Sequence, residues 1–365
     1  MGTHPLIYIR TDANNKIATG HMMRCLSIAK ACLLMGMQVC FVVSDNESRS
    51  LFHSFIEDNF SQKDRSFPSV CLLQTAVYND LEQELSELTC MLVTNKVSLF
   101  LVDSYFATPG YLSAITKITK TAYLDDLRSF DPDVDLLINY DIIPQKSLAE
   151  YKAFYQSPKQ CLLGGLYTPL RSQFQNSHFT IRKFGTDIPK PVILVTTGGS
   201  DPYHFTLRFL QAACHLPVSF HVVVGAFNTD KETLSCFAAN YSDTIILHEQ
   251  VTDMASLMSD CDFAISAAGT TLYELCALGI PSVSYTMADN QITTAAVFEE
   301  EGAIYYAGDI RLKEEVIPEI LRRLEEITLM SDNFSKRMSA HKTMRGLVDT
   351  KGASRIAEAL FLCME

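Results

Sequence analysis

The feature that most constrains this chain is a grammar used twice: an apolar strand, a tight polar loop, an amphipathic helix and a second apolar strand. The first copy reads Leu6-Ile7-Tyr8-Ile9, a loop from Arg10 to Gly20, a helix from about His21 to Met35, and Val39-Cys40-Phe41-Val42-Val43. The second reads Val192-Ile193-Leu194-Val195, the loop Thr196-Thr197-Gly198-Gly199-Ser200-Asp201, a helix from about His204 to Cys214, and a strand from Ser219 to Val224. A βαβ unit near the start and another past the middle predict an α/β chain of two doubly wound, Rossmann-like domains facing one another across a cleft. Domains of this kind bind ligands outside the carboxyl ends of their strands, so those ends are where chemistry is sought.

Length and composition agree with two cores. A chain of 365 residues, 47% of them hydrophobic, is long for one ordinary core and can fill two. Its apolar runs are strand-sized, well short of a membrane span. The first apolar run breaks at Arg10-Thr11-Asp12, which is not a signal-peptide pattern, so a soluble, cytoplasmic protein is expected. The 11 cysteines are odd in number and scattered, without a C-x-x-C pair, and several lie in apolar patterns (Cys25, Cys32, Cys214, Cys261, Cys276). They read as small buried thiols rather than disulfides or zinc ligands. A net charge of −12 without a basic block argues against a large nucleic-acid surface. It leaves room for a nucleotide diphosphate, which backbone N–H groups and helix N-termini bind without basic side chains.

Further strands are predicted at Leu72-Leu73, at 99–103, 121–124 and 136–140, with a helix from Tyr111 to Thr119. In the second half, Ile245-Ile246-Leu247, Phe263-Ala264-Ile265 and 282–285 read as strands. Val251, Met254, Leu257, Met258 and Cys261 have helical spacing, with Thr252 as a candidate N-cap. A helix from Thr270 to Leu278 should stop at Gly279, with Pro281 behind it. Helices are also predicted from Leu312 to Ile327 and from Arg355 to Cys363. The domains are placed at 1–165 and 191–365, joined by a linker at 166–190, the last helix being free to cross back to the first domain.

Four polar segments sit at predicted strand ends. The loop from Asp12 to His21 enters a helix, so His21 lies at the positive helix end, which disfavours imidazolium and leaves a ring able to accept a proton. Gly20 lets the backbone turn and approach a ligand. A plain capping role is the competing reading of a lone histidine. The segment 266–274, with Gly269, Thr270, Thr271 and Glu274, offers successive N–H groups and hydroxyls to a diphosphate and a carboxylate to ribose hydroxyls; an ordinary capped helix is the alternative. Gly198-Gly199-Ser200-Asp201 permits close approach by a ligand, or is a βα turn capped by Ser200 or Asp201. Asp289-Asn290-Gln291 can read sugar hydroxyls or acetamido groups, or is loop surface. Asp125-Asp126 and Asp103-Ser104-Tyr105 also lie at strand ends. No G-x-G-x-x-G follows the first strand and no P-loop motif exists, which disfavours dinucleotide oxidoreductases and P-loop NTPases. Neither a metal centre nor a cofactor is expected; Asp133 and Asp135 fall at a strand's start, the wrong end.

Taken in order, Arg10-Thr11-Asp12, Gly20-His21 with Arg24-Cys25, 102–105, Asp125-Asp126, 198–202, 267–271 with Glu274, Gly279-Ile280-Pro281 and Asp289-Asn290-Gln291 resemble a known family. It comprises the UDP-sugar hydrolases of pseudaminic acid biosynthesis and their spore-coat polysaccharide relatives, within the GT-B glycosyltransferase-like group. The resemblance implies hydrolysis of a UDP-linked diacetamido-trideoxyhexose at its anomeric carbon with inversion, giving UDP and free sugar. It assigns catalysis to His21, the water-activating base, with Asp12 and Tyr105, the tyrosine lining the sugar site. UDP falls to Gly198, Gly199, Ser200, Gly269, Thr270, Thr271 and Glu274, and the sugar to Gly20, Asp289, Asn290 and Gln291. The chain departs from the family in having Ala18 for the first glycine of G-x-G-H, Tyr273 for a tryptophan, and Asn139-Tyr140 after its strand. A GT-B glycosyltransferase using a UDP-sugar donor for cell-surface or spore-coat polysaccharide is the alternative; a 2-epimerase and a non-catalytic nucleotide-sugar binder are further ones. The expected partner is a UDP-sugar, with neither nucleic acid nor membrane insertion.

Overall fold

In the first half, continuous apolar runs make strands buried on both faces, the signature of a parallel sheet covered by helices. A computed structural model describes residues 4–14, 16–17, 19–60, 66–183, 187, 190–312, 315–329 and 333–365. The chain divides into two compact units, residues 1–172 with 350–365, and residues 173–349.

The first unit holds β1 (Leu6–Arg10), α1 (Gly20–Leu34), β2 (Gln38–Val43), α2 (Asn46–Asn59), β3 (Ser69–Leu72), α3 (Leu85–Thr94), β4 (Leu99–Val102), α4 (Pro109–Thr116), β5 (Lys120–Leu124), β6 (Leu136–Asn139), α5 (Leu148–Phe154) and β7 (Gln160–Leu163). Its seven strands lie in the order β3-β2-β1-β4-β5-β6-β7, all parallel. Ile7 pairs with Val39 on one side and Leu99 on the other, so the strand order reverses at the β1/β4 junction. Buried Tyr8, Val42, Leu88, Phe100, Val102, Tyr111 and Leu137 build the core of one face.

The second unit holds β8 (Val192–Thr196), α6 (Phe205–Ala213), β9 (Ser219–Val224), α7 (Lys231–Ala239), β10 (Ile245–Glu249), α8 (Met254–Ser259), β11 (Phe263–Ala267), α9 (Thr270–Leu278), β12 (Ser282–Thr286), α10 (Asp289–Glu300), β13 (Ile304–Asp309), α11 (Val316–Leu329) and α12 (Asn333–Leu347). Its strand order, β10-β9-β8-β11-β12-β13, has the same reversal at β8/β11. The final helix, α13 (Gly352–Met364), packs on α1, β5 and β6 of the first unit, where Arg355 donates to the Leu166 carbonyl at 2.7 Å. Among the described residues no helix is long and apolar enough to cross a membrane.

Most element cores match the expectations drawn from pattern, including α9, which ends at Gly279 with φ +74°. The cap of α8 differs: Asp253, not Thr252, accepts the Ser256 N–H, because its carboxylate stands one residue nearer the first turn. The segment 289–291 is the first turn of α10 rather than loop, hidden because Ala288 precedes it without a capping side chain. The helix expected from Leu312 begins at Val316. Met1 to Thr3, Asn15, Ala18, residues 313–314 and part of the expected linker lie outside the described residues.

One fully buried ionic knot ties β1 to its surroundings. Arg10 Nε donates to Glu84 at 2.8 Å, Arg10 Nη1 to Asp12 Oδ2 at 2.6 Å, and the Tyr111 hydroxyl to Glu84 at 2.7 Å. Arg10 and Glu84 have no exposed surface. Removing one partner strands the other charge in a dry core, which costs about 3–5 kcal/mol. Glu84→Ala is therefore expected to lower the unfolding free energy of the first unit by about 3 kcal/mol or more. Urea titration of the intact chain checks this, and a loss under about 1 kcal/mol contradicts it.

Candidate functional site

At the β1/β4 reversal a polar cluster gathers at the carboxyl ends of the strands. Residues three and four apart share a helix face, so His21, Arg24 and Cys25 on α1 point the same way. All three reach Asp103, the residue that follows β4. His21 Nδ1 lies 2.6 Å from Asp103 Oδ1, Arg24 Nε donates to Oδ2 at 2.7 Å and Nη2 to Oδ1 at 2.5 Å, and the Cys25 thiol donates to Oδ2 at 3.2 Å. Asp103 is fixed from behind, since its N–H donates to the Arg10 carbonyl at 2.9 Å.

Burial alone would raise the Asp103 carboxyl, but Arg24 first and His21 second hold it well below the usual carboxylate range. An ionised carboxylate only accepts, so the proton between it and His21 sits on Nδ1. The Arg24 guanidinium, 2.9 Å from Nδ1, is then a neighbouring cation, not a donor to the ring. Nε2 is buried without a hydrogen-bond partner among the described residues. The ring lines a hollow with Asp12, Ile17, Asp103, Ser104, Tyr105 and Phe106; its cavity volume is about 10 Å³, close to what one water needs. Tyr105 meets His21 edge-to-face at 4.3 Å between ring centroids, and its hydroxyl donates to Asp126 Oδ2 at 3.5 Å.

The other expected residues of this unit fall in two groups. Gly20 is the first residue of α1, immediately before His21. Asp12 lines the hollow, but both its oxygens are engaged, one by Arg10 and the other by the Ser44 N–H at 2.7 Å. The sequence names Arg24, Asp126 and Tyr140 without giving them a role, and the structure joins them: Arg24 Nη1 donates to Asp126 Oδ2 at 2.7 Å and also to the Tyr140 hydroxyl. The signal was present in the His21/Arg24/Cys25 spacing and in polar residues closing apolar strands.

In the second unit, the reversal at β8/β11 brings two of the expected segments to the same sheet edge. Gly198, Gly199 and Ser200 follow β8, while Gly269, at the N-cap of α9, follows β11. Thr270 and Thr271 are the first two residues of α9, and Glu274 is the fifth, just past the first turn. Asp201 caps α6 by accepting from the Phe205 and Thr206 N–H groups, each at 2.8 Å, which leaves Ser200 outside the cap. Gln291 of α10 reaches Gly269: a Cβ there would lie 3.7 Å from its Nε2. Gln291 Oε1 is held by the Met287 N–H at 2.9 Å. Asp289, mostly exposed, pairs with Arg311 at 2.7 Å, and Asn290 stands between them in sequence.

The Gly198-Gly199 turn is shaped by a third glycine. Phe227 N–H donates to the Gly199 carbonyl at 2.8 Å, and a Cβ on Gly225 would fall 2.3 Å from the Gly198 oxygen. Nothing larger than hydrogen fits without moving backbone.

Residues 192–351 match the family model of the glycosyltransferase family 28 C-terminal domain. The spore coat polysaccharide biosynthesis protein SpsG of Bacillus subtilis (strain 168) is 33% identical over 172 residues, 46% of this chain and 49% of that protein. A UDP-N-acetylglucosamine–N-acetylmuramyl-(pentapeptide) pyrophosphoryl-undecaprenol N-acetylglucosamine transferase of an Exiguobacterium species is 30% identical over 168 residues, 44% of this chain and 46% of that enzyme. The chain thus spans about half the length of these curated relatives. Among solved structures, MurG of Acinetobacter baumannii superposes with a TM-score of 0.64 at 15% identity, covering 98% of this chain and 100% of that one. The fold is GT-B-like, with two Rossmann-like units.

Gly225→Ala is expected to cost about 1–3 kcal/mol and to shift the amide resonances of Gly198, Gly199 and Phe227 while leaving the rest of the sheet in place. Two-dimensional NMR with a thermal melt checks it; unchanged resonances contradict the close approach.

Proposed function

We propose that this chain is a nucleotide-sugar enzyme of the glycosyltransferase type, acting on a UDP-sugar donor in polysaccharide biosynthesis. The observation that carries the reading is the family match over 192–351, which contains both segments that meet at the second unit's strand reversal. Gly198, Gly199 and Ser200 leave room for phosphate oxygens, and Gly269, Thr270 and Thr271 present N–H groups and hydroxyls at the positive end of α9. Glu274 would take ribose hydroxyls, and Asp289, Asn290 and Gln291 sugar hydroxyls or amides.

The first unit supplies the base. With Nδ1–H committed to Asp103, His21 Nε2 takes the proton of an attacking hydroxyl as its oxygen bonds to the anomeric carbon. The bond from that carbon to the diphosphate breaks, and its electron pair leaves with UDP. Donors fixed in place at α9 stabilise the charge that develops on the leaving group without reorganisation in the transition state. Asp12 serves by fixing the loop, and Tyr105 by packing against the imidazole.

In this reading the nucleophile is an acceptor hydroxyl. A second reading is hydrolysis by water with release of a free diacetamido-trideoxy sugar, for which the hollow lined by His21 has room. The same residues serve both, since only the nucleophile differs.

UDP release from a panel of UDP-acetamido sugars, with and without glycan acceptors, separates them. Transfer predicts release that depends on acceptor; acceptor-independent release with a free sugar of inverted configuration establishes hydrolysis. Absence of turnover under every condition, with UDP still bound, rejects both. His21→Ala is expected to lower turnover about a hundredfold or more while UDP affinity by calorimetry stays near normal. An unaltered turnover number removes His21 from the mechanism.

A further inference from the structure

We infer that Arg24 is a positioning residue that fixes the tautomer and ring orientation of His21 by clamping Asp103 to two further strand ends. The inference rests on the proposed role of His21 as base and adds a group that touches no substrate.

The geometry is one of converging donors. Arg24 is 6% exposed, and its guanidinium spends Nε and Nη2 on the two oxygens of Asp103, at 2.7 and 2.5 Å. Nη1 reaches Asp126 Oδ2, two residues past β5, at 2.7 Å, and the Tyr140 hydroxyl, just past β6. A single planar fork therefore joins the ends of β4, β5 and β6 to α1. Lysine cannot reproduce this, since its compact ammonium has no bidentate face for a carboxylate.

Two consequences follow for the imidazole. First, Asp103 cannot rotate, so the acceptor for Nδ1–H stays in one place and Nε2 stays bare. Second, the guanidinium stands 2.9 Å from Nδ1, so that edge of the ring is walled by a cation and only the carboxylate can accept from it. The groups facing the ring are Asp103 and Tyr105 beyond β4, Asp12 beyond β1, and Arg24 with Cys25 on α1 itself. Asp126, which holds Arg24, also accepts from Tyr105, so the clamp extends to the aromatic wall of the hollow.

The test uses the full chain and two readouts. Nitrogen-15 correlation spectra of the histidine rings, with the His21 signals assigned by their loss in His21→Gln, require no substrate. The native protein is expected to show the Nδ1–H tautomer alone. Arg24→Gln should show mixed tautomers. With a UDP-sugar that the native enzyme cleaves, kcat of Arg24→Gln should fall roughly thirtyfold or more with KM within about threefold. Arg24→Lys should recover under about a tenth of the rate. Ring spectra unaltered in Arg24→Gln overturn the inference, as does a kcat within about threefold of native. Should Arg24→Gln not fold, Tyr140→Phe removes one anchor only: mixed His21 tautomers support the clamp, and an unchanged ring refutes it. If no UDP-sugar is turned over by the native chain, the functional reading falls, while the ring spectra still decide the role of Arg24.

Discussion

The structure of the first unit depends on a buried charge pair at the ends of its strands. Arg24 and Asp103 are nearly or wholly withdrawn from water, and taking either alone into such a place would be strongly unfavourable. Their pairing is tolerated because every nitrogen of the guanidinium fork and both carboxylate oxygens find partners. This demand for saturation sets the local sequence: His21 and Cys25 must flank Arg24 at helical spacing, and polar residues must close β4, β5 and β6. Asp103 thereby remains an acceptor, and the histidine beside it has only one way to hold its proton.

The second unit deals with charge differently. Its strand reversal carries no buried cation among the residues that follow β8 and β11; it carries glycines, small hydroxyls and the amino-terminal turns of α9 and α10. Partial positive charge at helix ends comes from backbone that the fold must make anyway. A chain with a net charge of −12 can therefore cradle an anion without a basic patch. Gly225 shows how tightly that backbone is drawn, since its missing side chain is what lets the Gly198-Gly199 turn close.

The fold was highly legible because the strands are short, continuous apolar runs separated by helices of ordinary length. Pattern placed β9 and α9 at their observed bounds and left α2, α3, α5, α7, α10 and α12 unplaced, along with β7 and β13. Legibility of the site was uneven. His21 stood out because histidine at a loop-to-helix junction is rare and chemically versatile. Arg24 did not, because one arginine on a helix reads as a solvated charge until three strand ends, 79 to 116 residues away in sequence, are seen to meet it. Asp12 is a case where the surroundings add what spacing does not show: its oxygens are engaged by Arg10 and the Ser44 N–H.

These two ways of handling charge bear on the proposed function, in which transfer and hydrolysis would draw on the same residues. Anion binding built from backbone constrains the diphosphate but says little about the sugar or its nucleophile. Base chemistry built from a clamped histidine constrains where a proton goes but not whose oxygen gives it up. The discriminating property is the space beside the His21 ring, walled here by Ile17, Ser104, Tyr105 and Phe106. How large a group that space admits depends on how rigid its walls are. Tyr105 is steadied by its edge contact with His21 and by Asp126, whereas Phe106 is about a third exposed and leans on Tyr78. The Phe106 side of the wall is thus the more yielding one, and the Tyr105 side is the one that holds the imidazole in register.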